Sequence, residues 1–403
     1  MRPEDVTIII PTVSEAENQE LQECLAACVS NLPGKIIISA DNAYRAKRLK
    51  LLVRSMKLNS NKISVVNTGV ASKRMQMIQA VQQTDTSLVL FLDDHVFLPE
   101  SFLRLSCPNF DHSDVALCGT DKIVRRRALV SKTFFGKYWE RLWNFYGIAY
   151  LQRHNWETRA THAMDGGVFV IPARAMPART SILKEQDFQD AFLNEYIFFN
   201  SLGPIDVGDD NFITTWVLEH DQRIELSDVP VETTLGEFPR FIYQCLRWRR
   251  TTFQNSSILW HRKLWLRWPW TVWTTYLPSL FNLALFWDFG MLYALKHTRF
   301  YANHSHPGLI LACFTVWIYF SKVVKLLPHF RAHPAHFFLF FFPIPAHYIF
   351  AWSHSLLSIG AILLWFSFAW NGRNLPLEPQ SSAKRHTREK RRARGEIHSI
   401  TVV

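Results

Sequence analysis

The chain reads as an α/β protein, a doubly wound sheet domain followed by an α-helical transmembrane region. Three observations predict this. Short β-branched apolar runs alternate with helical stretches through the first half. Small polar and acidic residues follow those runs, at the sheet edge where ligands of such folds sit. Beyond residue 260 the aromatic residues crowd into long apolar stretches.

Taken in order, Val6-Thr7-Ile8-Ile9-Ile10 is a strand ended by Pro11 and Thr12, and Lys35 to Ser39 is a second, followed by Asp41. Ile63 to Val66 is a weaker third strand, and Leu88 to Leu92 a fourth that runs into Asp93-Asp94-His95. Helices near 17–30, 43–56 and 72–83 lie between them. This alternation predicts parallel pairing. Lys73 opens the third helix, where its charge and the helix N-terminus can face a phosphate. In residues 108–160, Trp139, Trp143, Phe145, Tyr146, Tyr150 and Trp156 are expected in the core rather than along a ligand track, and Lys122 with Arg125-Arg126-Arg127 on a solvated face. Met164 to Ile171 is a loop entering a strand, with Gly166 and Gly167 letting backbone pass close to a ligand.

At 403 residues, 48% hydrophobic and 14% aromatic, the chain has ample material for a core and is rich in apolar residues for a soluble protein. A formal charge of +11 without a nucleic-acid-binding motif favours membrane and nucleotide partners. The six cysteines show neither a CxxC pair nor metal-ligand spacing, which suits free thiols. No apolar stretch follows Met1-Arg2, so no signal peptide is expected.

The chemistry concentrates between Gly208 and Trp248. Gly208-Asp209-Asp210 opens a helix and supplies a carboxylate pair, one of which can act as a base while their mutual repulsion raises a pKa. Gln244, Arg247 and Trp248 share one face of a helix beginning near Pro239. This acidic pair with Q-x-x-R-W resembles the processive inverting glycosyltransferases of family 2, the cellulose, chitin and hyaluronan synthases. Asp165-Gly166-Gly167-Val168-Phe169-Val170-Ile171 and Glu232 to Glu237 look most like the fungal type 2 branch.

The resemblance implies a GT-A-like nucleotide-sugar domain and a set of roles. Thr12, Asp41, Lys73, Asp93 and Arg247 contact the nucleotide sugar. Asp210 is the catalytic base and Asp209 positions the acceptor. Gly166, Gly167, Gln244 and Trp248 lie along the acceptor. Asp93 and His95 hold Mn²⁺ or Mg²⁺, His95 standing where the family carries a second aspartate; imidazole there suits Mn²⁺, and a damaged metal site is the other reading. The implied partners are a UDP-sugar, a growing polysaccharide and the lipid bilayer, with no nucleic acid.

The second half is read as membrane. Trp260 to Trp270 mixes tryptophan with basic residues, as an interfacial helix does. Thr271 to Leu295 and Gly308 to Leu327 are long enough to span, with Asp288 expected in a protein interior and Lys322 and Lys325 snorkelling. Phe337 to Trp370 is read as a hairpin broken near Ala351-Trp352-Ser353-His354, its first arm loosened by Pro343 and Pro345; a single tilted span is the alternative. Three regions follow: a cytosolic catalytic domain over 1–258, a membrane region over 259–372, and a basic, disordered tail over 373–403. The expected protein is a multi-pass plasma-membrane enzyme extending a polysaccharide. Two rivals stand beside it: a single-sugar transferase acting on a lipid phosphate, and an inactive synthase-like subunit.

Overall fold

A computed structural model describes residues 1–56, 62–197, 201–255, 262–281 and 283–366. Strands β1 (Val6–Thr12), β2 (Lys35–Ala40), β3 (Ile63–Asn67) and β4 (Leu88–Leu92) run parallel in the order β3-β2-β1-β4. Alternate side chains serve opposite faces, and both faces are covered. Ile8, Ile10, Ile36 and Ile38 share a core with Leu21 and Leu25 of α1 (Gln19–Ser30) and Leu49 and Val53 of α2 (Ala43–Ser55). Ile9, Ile37, Val89 and Phe91 pack with Met77, Ile78 and Val81 of α3 (Lys73–Gln82). The three helices start where expected because Asn18, Asn42 and Ser72 each accept a backbone N–H of the first turn.

The sheet continues beyond β4, and the parallel pattern does not. The remaining strands are β5 (Val96–Phe97), β6 (Val115–Val124), β7 (Ala175–Arg179) and β8 (Arg223–Thr233). β7 is antiparallel to β4 and β6, while β8 pairs parallel with β6. The doubly wound parallel expectation therefore holds for the first four strands of a mixed eight-stranded sheet. Helices α4 (Phe102–Ser106), the long α5 (Phe134–Asp165), α6 (Thr180–Lys184), α7 (Gln186–Leu193), α8 (Asp209–Glu219) and α9 (Arg240–Gln254) complete this half. Within α5, Trp143, Phe145 and Tyr146 are buried as expected, but Trp139 and Trp156 are exposed. The arginine run is paired rather than merely solvated: Arg125 meets Glu23 and Glu232, and Arg127 meets Glu237.

Downstream come α10 (Arg262–Arg267), α11 (Pro269–Thr271), a π-helical turn (Val272–Tyr276), α12 (Leu277–Leu280), α13 (Ala284–Lys296), α14 (Arg299–Asn303), α15 (Pro307–Ser321), α16 (Leu327–Ala332), α17 (Pro334–Phe340) and α18 (Ala346–Leu363). Two stretches, Pro307–Ala332 and Ala346–Leu363, are long and apolar enough to cross a membrane. Thr271 to Leu295 is not one continuous helix: α12 ends at Leu280 and α13 begins at Ala284. The expected hairpin breaks at Phe341–Pro345, not at Ala351–His354, which lies inside α18. Asp288 is buried as anticipated, bonded to Lys322 Nζ and Trp352 Nε1, each at 2.9 Å. Lys322 thus turns inward instead of snorkelling. Phe145, Tyr146, Phe241, Phe330, Phe340 and Phe350 form a third core that ties α5 and α9 to these helices. The start of the expected interfacial helix at Trp260 and the basic tail lie outside the described residues.

Candidate active site

The site is assembled where the loops after β1, β2 and β4 meet the starts of α3 and α8. Lys73, the first residue of α3, places its ammonium 3.0 Å from Asp93 Oδ1 and 3.0 Å from Asp209 Oδ2. Burial alone would lower its pKa, but the charges of Asp209 and Asp93 outweigh burial and hold it above the usual lysine range. Asp93 is likewise pushed up by burial and pulled further down by Lys73 and His95, so it stays ionised. Gly208 sits at φ 74°, a left-handed turn that L side chains rarely adopt, immediately before Asp209 and Asp210. The turn is anchored from α3, where buried Arg74 donates to Phe192 O, Glu195 and Val207 O.

Asp210 accepts the Asn211 N–H at 2.9 Å. Its pKa is pushed up to about 6, first by burial and then by Asp209, with Lys73 and Arg247 pulling the other way. A carboxyl in that range is ionised at neutral pH and is a competent proton acceptor. The mutual repulsion expected of the pair is therefore present, second to desolvation.

Residues after β4 divide into scaffold and ligand set. Asp94 is buried and accepts Thr12 Oγ1 at 2.6 Å, Ser14 Oγ at 2.7 Å and His95 Nδ1 at 3.1 Å. Thr12, expected at the nucleotide sugar, is itself buried and spends its hydroxyl on Asp94 and the Ser14 N–H; it shapes the edge. Asp41 lies beside it at the end of β2, bonded to Arg45 and Asn42. His95 turned toward Asp94 through Nδ1 keeps Nε2 available, the arrangement that metal-binding histidines use. Asp93 and His95, two residues apart after β4, are the residues of the expected metal pair, with Asp93 Oδ1 on Lys73 and His95 Nδ1 on Asp94. Among the described residues no group of three or more His, Cys, Asp or Glu side chains is placed to hold a metal ion.

On α9, Gln244, Arg247 and Trp248 share the expected face. Trp248 stacks on Tyr150 of α5 at 5.0 Å, and the Arg174 guanidinium lies 5.1 Å from its ring centre. Gly166 and Gly167 serve packing. Gly166 ends α5 at φ 77°, and a Cβ on Gly167 would lie 2.4 Å from Thr271 Oγ1. Asp165 then accepts both the N–H and the hydroxyl of Thr271, clamping α5 to α11. No strand follows the glycines; pairing resumes at Ala175.

The sequence profile of the glycosyltransferase-like family 2 matches residues 3–251. A type 2 glycosyltransferase of Zymoseptoria tritici is 30% identical over 378 residues, covering 92% of this chain and 76% of the relative. The chain belongs to the family 2 glycosyltransferases. A type 2 glycosyltransferase of Pyricularia oryzae is 29% identical over 92% of this chain and 74% of its own length. An NDP-glycosyltransferase, ltbB, of Aspergillus luteorubrus is 26% identical over 74% of this chain and 72% of its own.

Arg174 of this glycosyltransferase escaped the sequence reading, and Lys122, expected with the arginine run on a solvated face, is buried instead. Arg174 precedes β7, and its charge acts on Asp93, Asp210 and Arg247. Lys122 on β6 is buried; burial first and Arg174 second bring its pKa down to about 7. Neither stands in a motif of its own. The one available signal was a basic residue inside, or at the start of, an apolar strand, where a charge needs a partner.

Proposed function

We propose that this glycosyltransferase is a membrane-bound inverting enzyme that uses a UDP-sugar to extend a polysaccharide chain. The observation that carries the reading is the bridge of Lys73 between Asp93 and Asp209, beside an Asp210 whose pKa lies near 6 and the Gln244, Arg247, Trp248 face. Asp210 takes the proton of the acceptor hydroxyl as that oxygen bonds to the anomeric carbon. The bond from that carbon to the diphosphate oxygen breaks, and UDP leaves with the electron pair on the opposite face. Arg247 and Lys73 meet the negative charge of the diphosphate, Arg247 through its planar fork. Asp41 holds the nucleoside end, and Asp209 orients the acceptor through its pairing with Lys73. Asp93 and His95 would hold a divalent ion, Mn²⁺ or Mg²⁺, which would supply charge neutralisation for the departing diphosphate.

Gln244 and Trp248 hold the acceptor terminus, with Gly166 and Gly167 allowing α11 to close against the end of α5. The stretch Pro307–Ala332 keeps most of its apolar surface facing outward, which supports a bilayer around it. The catalytic half then lies on the cytosolic side of a plasma membrane, and the helices pass the product outward. Assay of purified membranes with Mn²⁺ and a panel of radiolabelled UDP-sugars tests this. Polymer from one donor, lost in Asp210→Asn, is expected. Addition of a single sugar only, or polymer that survives the substitution, contradicts it.

A further inference from the structure

Beyond Trp248 the site continues into a cationic seam that the reaction above does not use. Trp248, Tyr150 and His354 form a ladder of stacked rings, 5.0 Å and 5.9 Å between centres, leading from Arg174 toward α18. Arg153 stands 5.9 Å from the centre of Tyr150 and within electrostatic reach of His154, Arg249 and His354. Arg249 reaches α18 through Nε, which donates to Ser358 Oγ at 2.7 Å.

These groups are under-supplied with acceptors. Arg153 Nε, His154 Nε2, Arg249 Nη2 and His354 Nε2 are buried atoms without a hydrogen-bond partner. Neither Arg153 nor Arg249 forms an ion pair with a described residue; Glu157 pairs with Lys325, while the Arg153 charge acts on it from farther away. Burying such donors unmet costs free energy that a bound anion removes. The four residues are each partly exposed rather than fully enclosed. Aromatic faces suit sugar rings, and paired arginines suit carboxylate or phosphoryl oxygens.

We infer that this seam is an acceptor subsite for a glycan bearing an anionic group, a uronate carboxylate or a phosphoryl group, with the sugars on Trp248 and Tyr150 and the anion between Arg153 and Arg249. The inference rests on the acceptor entering along Trp248, as proposed above.

The test is a binding measurement, independent of turnover, on the full chain in neutral phosphatidylcholine nanodiscs. Three disaccharides are compared: one ending in glucuronate, one carrying a phosphoryl group and one neutral. At least one anionic form is expected to bind roughly 10–100-fold tighter than the neutral one, the range of a charge-assisted pair, and which one binds tighter identifies the group. The preference is expected to fall to within about threefold in the Arg153→Gln, Arg249→Gln double variant. The double lysine variant should recover it in part, which separates lost charge from lost folding. Equal binding of all three, or a preference unchanged in the double glutamine variant, overturns the subsite. A preference for discs containing anionic lipid, with none for anionic glycans, also overturns it and assigns the arginines to headgroups. Failure of transfer from every UDP-sugar would instead count against the reaction, since binding is read without it.

Discussion

Lys73 stands 3.0 Å from Asp209, joining the first residue of α3 to the first residue of α8. Two helix starts and the end of β4 are thereby held around one ammonium. Lys73→Gln removes the counter-charge of buried Asp209 and half-buried Asp93, a loss that costs roughly 3–5 kcal/mol when a buried pair is broken. The expected result is a fall of at least about 100-fold in kcat/KM with weakened UDP binding. Calorimetric titration with UDP beside steady-state assays checks it, and Lys73→Arg should retain part of both.

The acid limb of the rate against pH should follow Asp210. Because its pKa is raised to about 6, the base is lost as pH falls through that value, and kcat/KM should decline below it. Asp209→Asn removes a repulsive charge and should move the midpoint down. Arg247→Gln removes an attractive one and should move it up. Opposite displacements in the two variants, measured on the residual activity, distinguish this base from any other.

His95 bears on metal choice. His95→Ala should lower metal-stimulated transfer by an order of magnitude or more, while His95→Asp should keep activity and tilt preference from Mn²⁺ toward Mg²⁺. Rates across a titration of each ion read this directly. Identical metal dependence in both variants would remove His95 from the ligand set.

In the helical half, Asp288 bonded to Lys322 and Trp352 clips α13 to the end of α15 and to α18. Asp288→Ala leaves Lys322 without its partner and should lower stability by about 3–5 kcal/mol. The double change Asp288→Ala, Lys322→Met should recover part of that. Thermal unfolding in nanodiscs compares them.

The strands of the first half were legible because both sheet faces are buried, which writes them as continuous apolar runs such as Val6 to Ile10. Gly208-Asp209-Asp210 and Q-x-x-R-W were legible as motifs. What the sequence hid is the pairing between distant segments. Nothing local says that Thr12 spends its hydroxyl on Asp94, 82 positions away, or that Arg174 comes to rest beside Trp248. The hairpin was misplaced for a related reason. At the expected break, the Ser353 hydroxyl donates back to Phe350 O at 2.7 Å and stays within the helix. Pro343 and Pro345, lacking N–H groups, mark where the chain turns.

The most direct test of the account is single-turnover transfer from a saturating UDP-sugar by the native chain and by Asp210→Asn. General-base catalysis is worth about 10²–10⁴ in rate, so the variant should lose that factor while binding UDP as the native chain does. Transfer by Asp210→Asn within about tenfold of native, at undiminished UDP affinity, would contradict the assignment of the base and the mechanism built on it.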